Sequence, residues 1–162
     1  MHPHPNVQAV QDALESTGAR DASGALCRVR LLPDAVHTAP AAAAALNVAV
    51  GQIANSLVFD ADGEPLLVLT SGAHRVDTDK VAGIAGVAAL RRASADFVRR
   101  HTGQPIGGVA PVGHPKPVPT LVDRALAGYD EVWAAGGVPR AIFPTTYREL
   151  VRITAGTPAD VA

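Results

Sequence analysis

The chain has 162 residues and a formal net charge of -1, which excludes a bulk attraction for polyanions and with it broad, non-specific nucleic-acid or DNA binding. Hydrophobic residues make up 48% but aromatic ones only 4%, so the core is expected to consist of small aliphatic side chains. Cys27 is the only cysteine, and the sequence shows neither a signal-like leader in MHPHPNVQAV nor an apolar run of bilayer length; these features predict one cytoplasmic domain over residues 1–162, without disulfides or membrane contact.

In chain order, Val7, Val10 and Leu14 share one face of VQAVQDALESTG, which predicts a helix capped by Asn6 and ended by Gly18. ALCRVRLL alternates as a strand, and PAAAAAL opens a short helix with proline in its first turn. NSLVFDADGEPLLVLTSG reads as a β-hairpin joined by Asp-Gly turn chemistry. Asp77 is placed to cap VDTDKVAGIAG, AALRR reads as a short strand, and Ser94 caps ADFVRRHTG, whose last turn carries Arg99, Arg100 and His101 against the helix dipole. VPTLVDRAL gives an extended segment followed by a helical turn. YDEVWAA and RAIFP read as strands flanking the GGVP turn. Thr146 with Glu149 forms a capping box for YRELVRI, and Thr157-Pro158 starts a final turn. Hairpin-linked strands between irregularly placed helices predict an α+β fold with a mixed, barrel-like sheet and peripheral helices.

The segment GQPIGGVAPVGHPKPVP, residues 103–119, is too rich in glycine and proline for a helix and too apolar for an ordinary linker. The Gly108–Gly113 gap has phosphate-loop spacing, but His114-Pro115 stands where that motif needs Lys-Ser/Thr. Gly107 and Gly108 permit close approach of a ligand to backbone N–H groups, while Pro105, Pro111, Pro115, Pro117 and Pro119 stiffen the loop. Fixed N–H donors of this kind suit a developing oxyanion; a corner connector needs the same residues. Ser71–Arg75 follows the hairpin and either presents His74 and Arg75 to an anion or makes a surface turn. Between Ser71 and Arg124 eight basic residues face four acidic ones, a modest basic bias. The six histidines lack i,i+4 pairing, so no metal site is expected, and Cys27 on a strand reads as core.

The succession QIANSLVF, GEPLLVLTSG, VDTDKVAGIAG, TGQPIGGVAPVGHPKPVPTLVD, YDEVWAAGG and ELVRITAGTPADV resembles the YbaK/EbsC family, free-standing relatives of the editing domain of bacterial prolyl-tRNA synthetase, over residues 45–161. The resemblance implies a compact α+β domain, no cofactor, and hydrolysis of the ester between a wrong amino acid and the terminal adenosine of a tRNA, commonly of the prolyl group. It implies that Gly107 and Gly108 supply oxyanion donors and that Ala110, Pro111, His114, Lys116 and the Gly136-Gly137 turn border the substrate. Prolyl-tRNA synthetase or an elongation factor is the expected partner, since the net charge gives little grip on tRNA.

One departure is marked: where the family carries a lysine, this chain has Asn55. Neutral donors in place of an ammonium forfeit a charge-assisted contact of about 1.5–3 kcal/mol, or roughly ten- to a hundredfold in rate. Asn55 is therefore expected to touch the aminoacyl group or ribose, with His74, Arg75 or Lys116 supplying charge. A binding module that has lost turnover is the alternative reading; a tRNA-independent ester hydrolase is a third. The strand ending Trp133–Gly137 also lacks the histidine of some alanine-editing relatives and is more similar there to the cysteine-clearing branch.

Overall fold

The computed structural model describes residues 4–162. Helix α1 (Pro5–Thr17) buries Val7, Val10 and Leu14 and ends at Gly18 in the left-handed conformation. Its cap is His4 instead of Asn6: Pro5 occupies the first turn, and His4 Nδ1 accepts from the Asn6 N–H at 3.0 Å. The Asn6 side chain is freed to donate to Gly137 O at 3.2 Å.

Only β1 (Arg30–Leu31) is a strand within ALCRVRLL; the preceding residues form a single bridge, Arg20↔Leu26. Helix α2 (Ala39–Leu46) begins at the Thr38 cap and buries Ala39, Ala42 and Ala43. These small side chains let it lie close to Ile53, Trp133 and Ile142.

Strands β2 (Ile53–Ala61) and β3 (Glu64–Ser71) form the expected hairpin. Asp62 and Gly63 both have positive φ, 53° and 94°, the geometry that matches strand twist in a two-residue turn. Helix α3 (Thr78–Ala85), strand β4 (Leu90–Arg92) and helix α4 (Ala95–Thr102) follow, with Asp77 and Ser94 as caps.

Beyond the glycine-proline loop come β5 (Thr120–Asp123), a 3₁₀ turn (Arg124–Gly128), β6 (Val132–Ala135), β7 (Ala141–Thr145) and helix α5 (Tyr147–Thr154). Thr146 caps α5, but the Glu149 carboxylate turns to the Arg20 N–H and to Arg152, so the reciprocal half of the capping box is not made. The final segment is a strand and not a turn: β8 (Thr157–Ala159) pairs in parallel with the open edge of β5.

The eight strands form one mixed sheet in the order β1-β7-β6-β2-β3-β5-β8, with β4 as a second partner of β2. The α+β class and mixed sheet read from the sequence are thus present. Among the described residues no helix is long and apolar enough to cross a membrane.

The branch at β2 positions the site. On one side β2 is paired along its length with β3. On the other, β6 reaches only Ile53 and Ala54, and β4 starts at Phe59. The Gly72 N–H donates to Ile53 O at 2.8 Å, so Ile53 is turned toward β3. Successive residues of a strand alternate their main-chain groups between edges. Asn55, Leu57 and Phe59 therefore also bond β3, while Ala54, Ser56, Val58 and Asp60 face the other edge. Ala54 meets β6 and Asp60 meets β4. Ser56 and Val58 meet neither, which leaves a gap in the sheet.

Candidate active site

Two chambers adjoin at this gap. The inner one, about 60 Å³, lies between α2, β2, β6 and β7, with walls that include Ala42, Leu46, Ile53, Trp133 and Ile142. Among the described residues no carboxylate, lysine or arginine lines it. The Trp133 indole N–H donates to Glu131 Oε1 at 3.0 Å, which leaves the ring as an apolar wall. The outer chamber, about 510 Å³, is bordered by Arg75, Thr78, Arg92, Val98 and Ile106. His37, Asn55, Ser56, Gly107 and Val109 border both.

Packing against one turn brings these residues together. The Val36 N–H donates to Pro139 O at 3.1 Å and the Leu32 N–H to Arg140 O at 2.7 Å, which laces the strap before α2 onto the Val138–Arg140 turn. Gly108 packs on the same turn: a Cβ built on it would lie 2.6 Å from Val138 Cα, so only glycine fits. Gly107 has φ +88°, and a Cβ there would lie 3.5 Å from His37 Nδ1. His37 and Gly107 thus meet across the junction although 70 positions separate them.

Gln104 shapes the loop from within. It is 1% exposed; its Oε1 accepts from the Ala110 N–H at 2.7 Å, and its Nε2 donates to Val112 O at 3.4 Å and Gly113 O at 3.5 Å. His114 Nε2 lies 2.7 Å from Ala110 O, so that nitrogen carries the proton and donates. Burial holds the imidazole's pKa below its ordinary value.

Of the residues expected at the site, the gap brings together Asn55, Gly107 and Arg75. The Gly108 amide is spent inside the loop, donating to Pro105 O at 3.0 Å, so this glycine is required by packing and is no free donor. The amides of Gly107 and Val109 have no partner among the described residues. His74 is turned from the chambers: its Nδ1 lies 2.9 Å from Oδ2 of Asp123, which is 1% exposed and also accepts from the Ser71 N–H at 2.9 Å. The Ala110 amide is held by Gln104, and Pro111 and His114 border a separate hollow beside α1. Lys116 is exposed and borders neither chamber. Gly136 donates to Ala141 O and Gly137 lies against Asn6, so this turn supports the wall without lining it. Cys27 is fully buried in the core, where burial pushes its thiol pKa up and removes it as a nucleophile. His2 lies outside the described residues.

Sequence reasoning missed His37, Ser56, Val109, Arg92 and Gln104. Ser56 Oγ is buried with no hydrogen-bond partner among the described residues, and neither arginine of the outer chamber is in an ion pair with a described residue. A loop histidine just ahead of a capped helix was the one visible signal for His37, and it points to no partner.

The cleft is thus divided, apolar in its inner chamber and bordered by Arg75 and Arg92 in its outer one. The model of the aminoacyl-tRNA editing domain matches residues 33–153, and the chain belongs to that family. It is 33% identical over 117 residues to a proline–tRNA ligase of Nitratidesulfovibrio vulgaris strain DP4, an alignment covering 72% of this chain and 20% of the ligase. With a proline–tRNA ligase of Geobacter sp. strain M21 it shares 37% identity over 86 residues, 53% of this chain and 15% of the ligase. The alignments thus span about a fifth or less of these ligases. A crystal structure of a proposed trans-editing enzyme for prolyl tRNA synthetase superposes with a TM-score of 0.89 at 43% identity, covering 99% of this chain and 98% of that one. The family resemblance drawn from the sequence is borne out.

Proposed function

We propose that the protein is a trans-acting deacylase that hydrolyses the ester of a mischarged aminoacyl-tRNA of the prolyl group. The observation that carries this reading is the pair of unequal chambers meeting at Asn55 and Gly107. At about 10–15 Å³ per water-sized occupant, the inner chamber holds roughly four to six such groups, which suits a small uncharged acyl group. The outer chamber suits the terminal nucleoside: Ile106, 54% exposed, offers the base an apolar rim, and Arg75 and Arg92 face the phosphodiester. The scissile ester then lies at the junction. There the Gly107 and Val109 amides replace the expected Gly107–Gly108 pair as donors to the tetrahedral oxyanion, and Asn55 hydrogen-bonds the aminoacyl group or ribose.

The prolyl assignment rests on the names of the ligases and of the trans-editing neighbour, and it makes prolyl-tRNA synthetase, in the cytoplasm, the natural partner. The test is a panel of mischarged tRNAs incubated with excess purified protein. Release of a small acyl group faster than in buffer is expected, and no acceleration with any member would overturn the reading. A module that binds without turnover is the second reading, favoured by Asn55, whose carboxamide brings no charge. It predicts affinity for an aminoacyl-adenosine analogue without hydrolysis.

A further inference from the structure

We infer that His37 is the proton-transfer residue of this cleft, an inference that rests on the deacylase reading above. His37 borders both chambers, its Nδ1 faces Gly107 across the junction, and its imidazole makes no hydrogen bond to any described residue. Among the other described histidines, His4, His74 and His114 are hydrogen-bonded and His101 packs on the Phe97 ring, and none of the four borders either chamber. Among the described residues, the charged or titratable side chains lining the two chambers are His37, Arg75 and Arg92. Arginine keeps its proton throughout the neutral range. Imidazole is the side-chain type that exchanges one there. Asp34, on the strap three residues earlier, is exposed and borders neither chamber. Asn55, where the family lysine would stand, can donate and accept hydrogen bonds but cannot transfer a proton usefully near neutrality.

The balanced step follows from the geometry. A water at the junction gives a proton to His37 as its oxygen bonds to the ester carbonyl carbon, and the carbonyl oxygen becomes an oxyanion held by the Gly107 and Val109 amides. As the tetrahedral species collapses, the carbon–oxygen bond to the ribose breaks, and the imidazolium returns its proton to the leaving ribose oxygen. The free amino acid and the ribose hydroxyl are released with His37 neutral again. This assigns to a side chain a role that main-chain donors alone cannot fill.

The test compares wild type, His37→Gln and His37→Ala on the member of the tRNA panel that wild type hydrolyses fastest. A general-base role predicts a kcat about a hundredfold lower in His37→Gln, with KM within about twofold. It also predicts loss of the acid limb of the kcat–pH profile and partial rescue of His37→Ala by added imidazole. If wild type is inactive on every member, the deacylase reading falls and the His37 role with it. If wild type is active and His37→Gln matches it, the role is overturned while the deacylase reading stands. A slow variant that keeps the acid limb and gains nothing from imidazole also overturns it, since His37 would then act through binding or packing.

Discussion

At the scale of single residues, the site is distinguished by polar groups left without partners beside others that are fully engaged. The Asn55 and His37 side chains and the Gly107 and Val109 amides have no hydrogen-bond partner among the described residues, whereas Asp123, two strands away, is saturated. Its Oδ2 accepts from Ser71 N–H and faces His74 Nδ1, and its Oδ1 accepts from Ala125 N–H at 2.9 Å. Asp123→Asn keeps the shape but turns one oxygen into an NH₂ that faces those donors. The fold is expected to lose about 3 kcal/mol, read as a lower urea midpoint, because a buried donor loses its acceptor. Asn55→Lys acts on the other class of residue. The ammonium would enter a junction that, among the described residues, no lysine or arginine lines from the inner side, and deacylation should rise roughly ten- to a hundredfold in kcat/KM. An unchanged rate on the same tRNA would show that the chain has no use for charge at this position.

At the scale of elements, the 103–119 loop owes its shape to internal bonds more than to its prolines. Gln104 and His114 tie both ends of the Ala110 peptide, and Gly108 bonds back to Pro105. Because burial depresses the His114 pKa, the unfolded chain takes up a proton at a higher pH than the folded one. The stability contributed by neutral His114 is complete above about pH 6.5 and is lost as pH falls below that value, by at most about 1.4 kcal/mol per pH unit. Urea midpoints taken from pH 8 to 5 should fall at the acid end in wild type and fall less in His114→Gln.

This loop also marks how far the sequence could be read. Local signals placed its glycines, the hairpin turn and the caps at Asp77, Ser94 and Thr146, because each rests on residues within a few positions. That the Gly108 amide is spent on Pro105 O depends on how the loop turns, and that His37 stands opposite Gly107 depends on the Val138–Arg140 turn, which arrives from over 30 positions away. Gln104 looked like an ordinary polar loop residue for the same reason: its three partners are set by how the loop coils.

At the scale of the whole molecule, the cleft exists because β2 is longer than either partner on its free side. Central strands ordinarily have both edges paired, since unmet N–H and C=O groups are costly when shielded from water. Here β6 and β4 approach β2 from either end and stop short of each other, so Ser56 and Val58 keep main-chain groups facing the chambers. Asn55 and Leu57, one residue away in each case, are bonded to β3. Amide exchange should reveal this alternation directly. In the free protein the Ser56 and Val58 N–H groups are expected to exchange at least tenfold faster than those of Leu57 and Phe59. Addition of a non-hydrolysable aminoacyl-adenosine analogue should slow the first pair and leave the second unchanged, because the ligand completes the sheet edge from within the cleft. Equal protection of all four amides before addition would mean that the gap is closed in solution, and the two-chamber site would lose its physical basis.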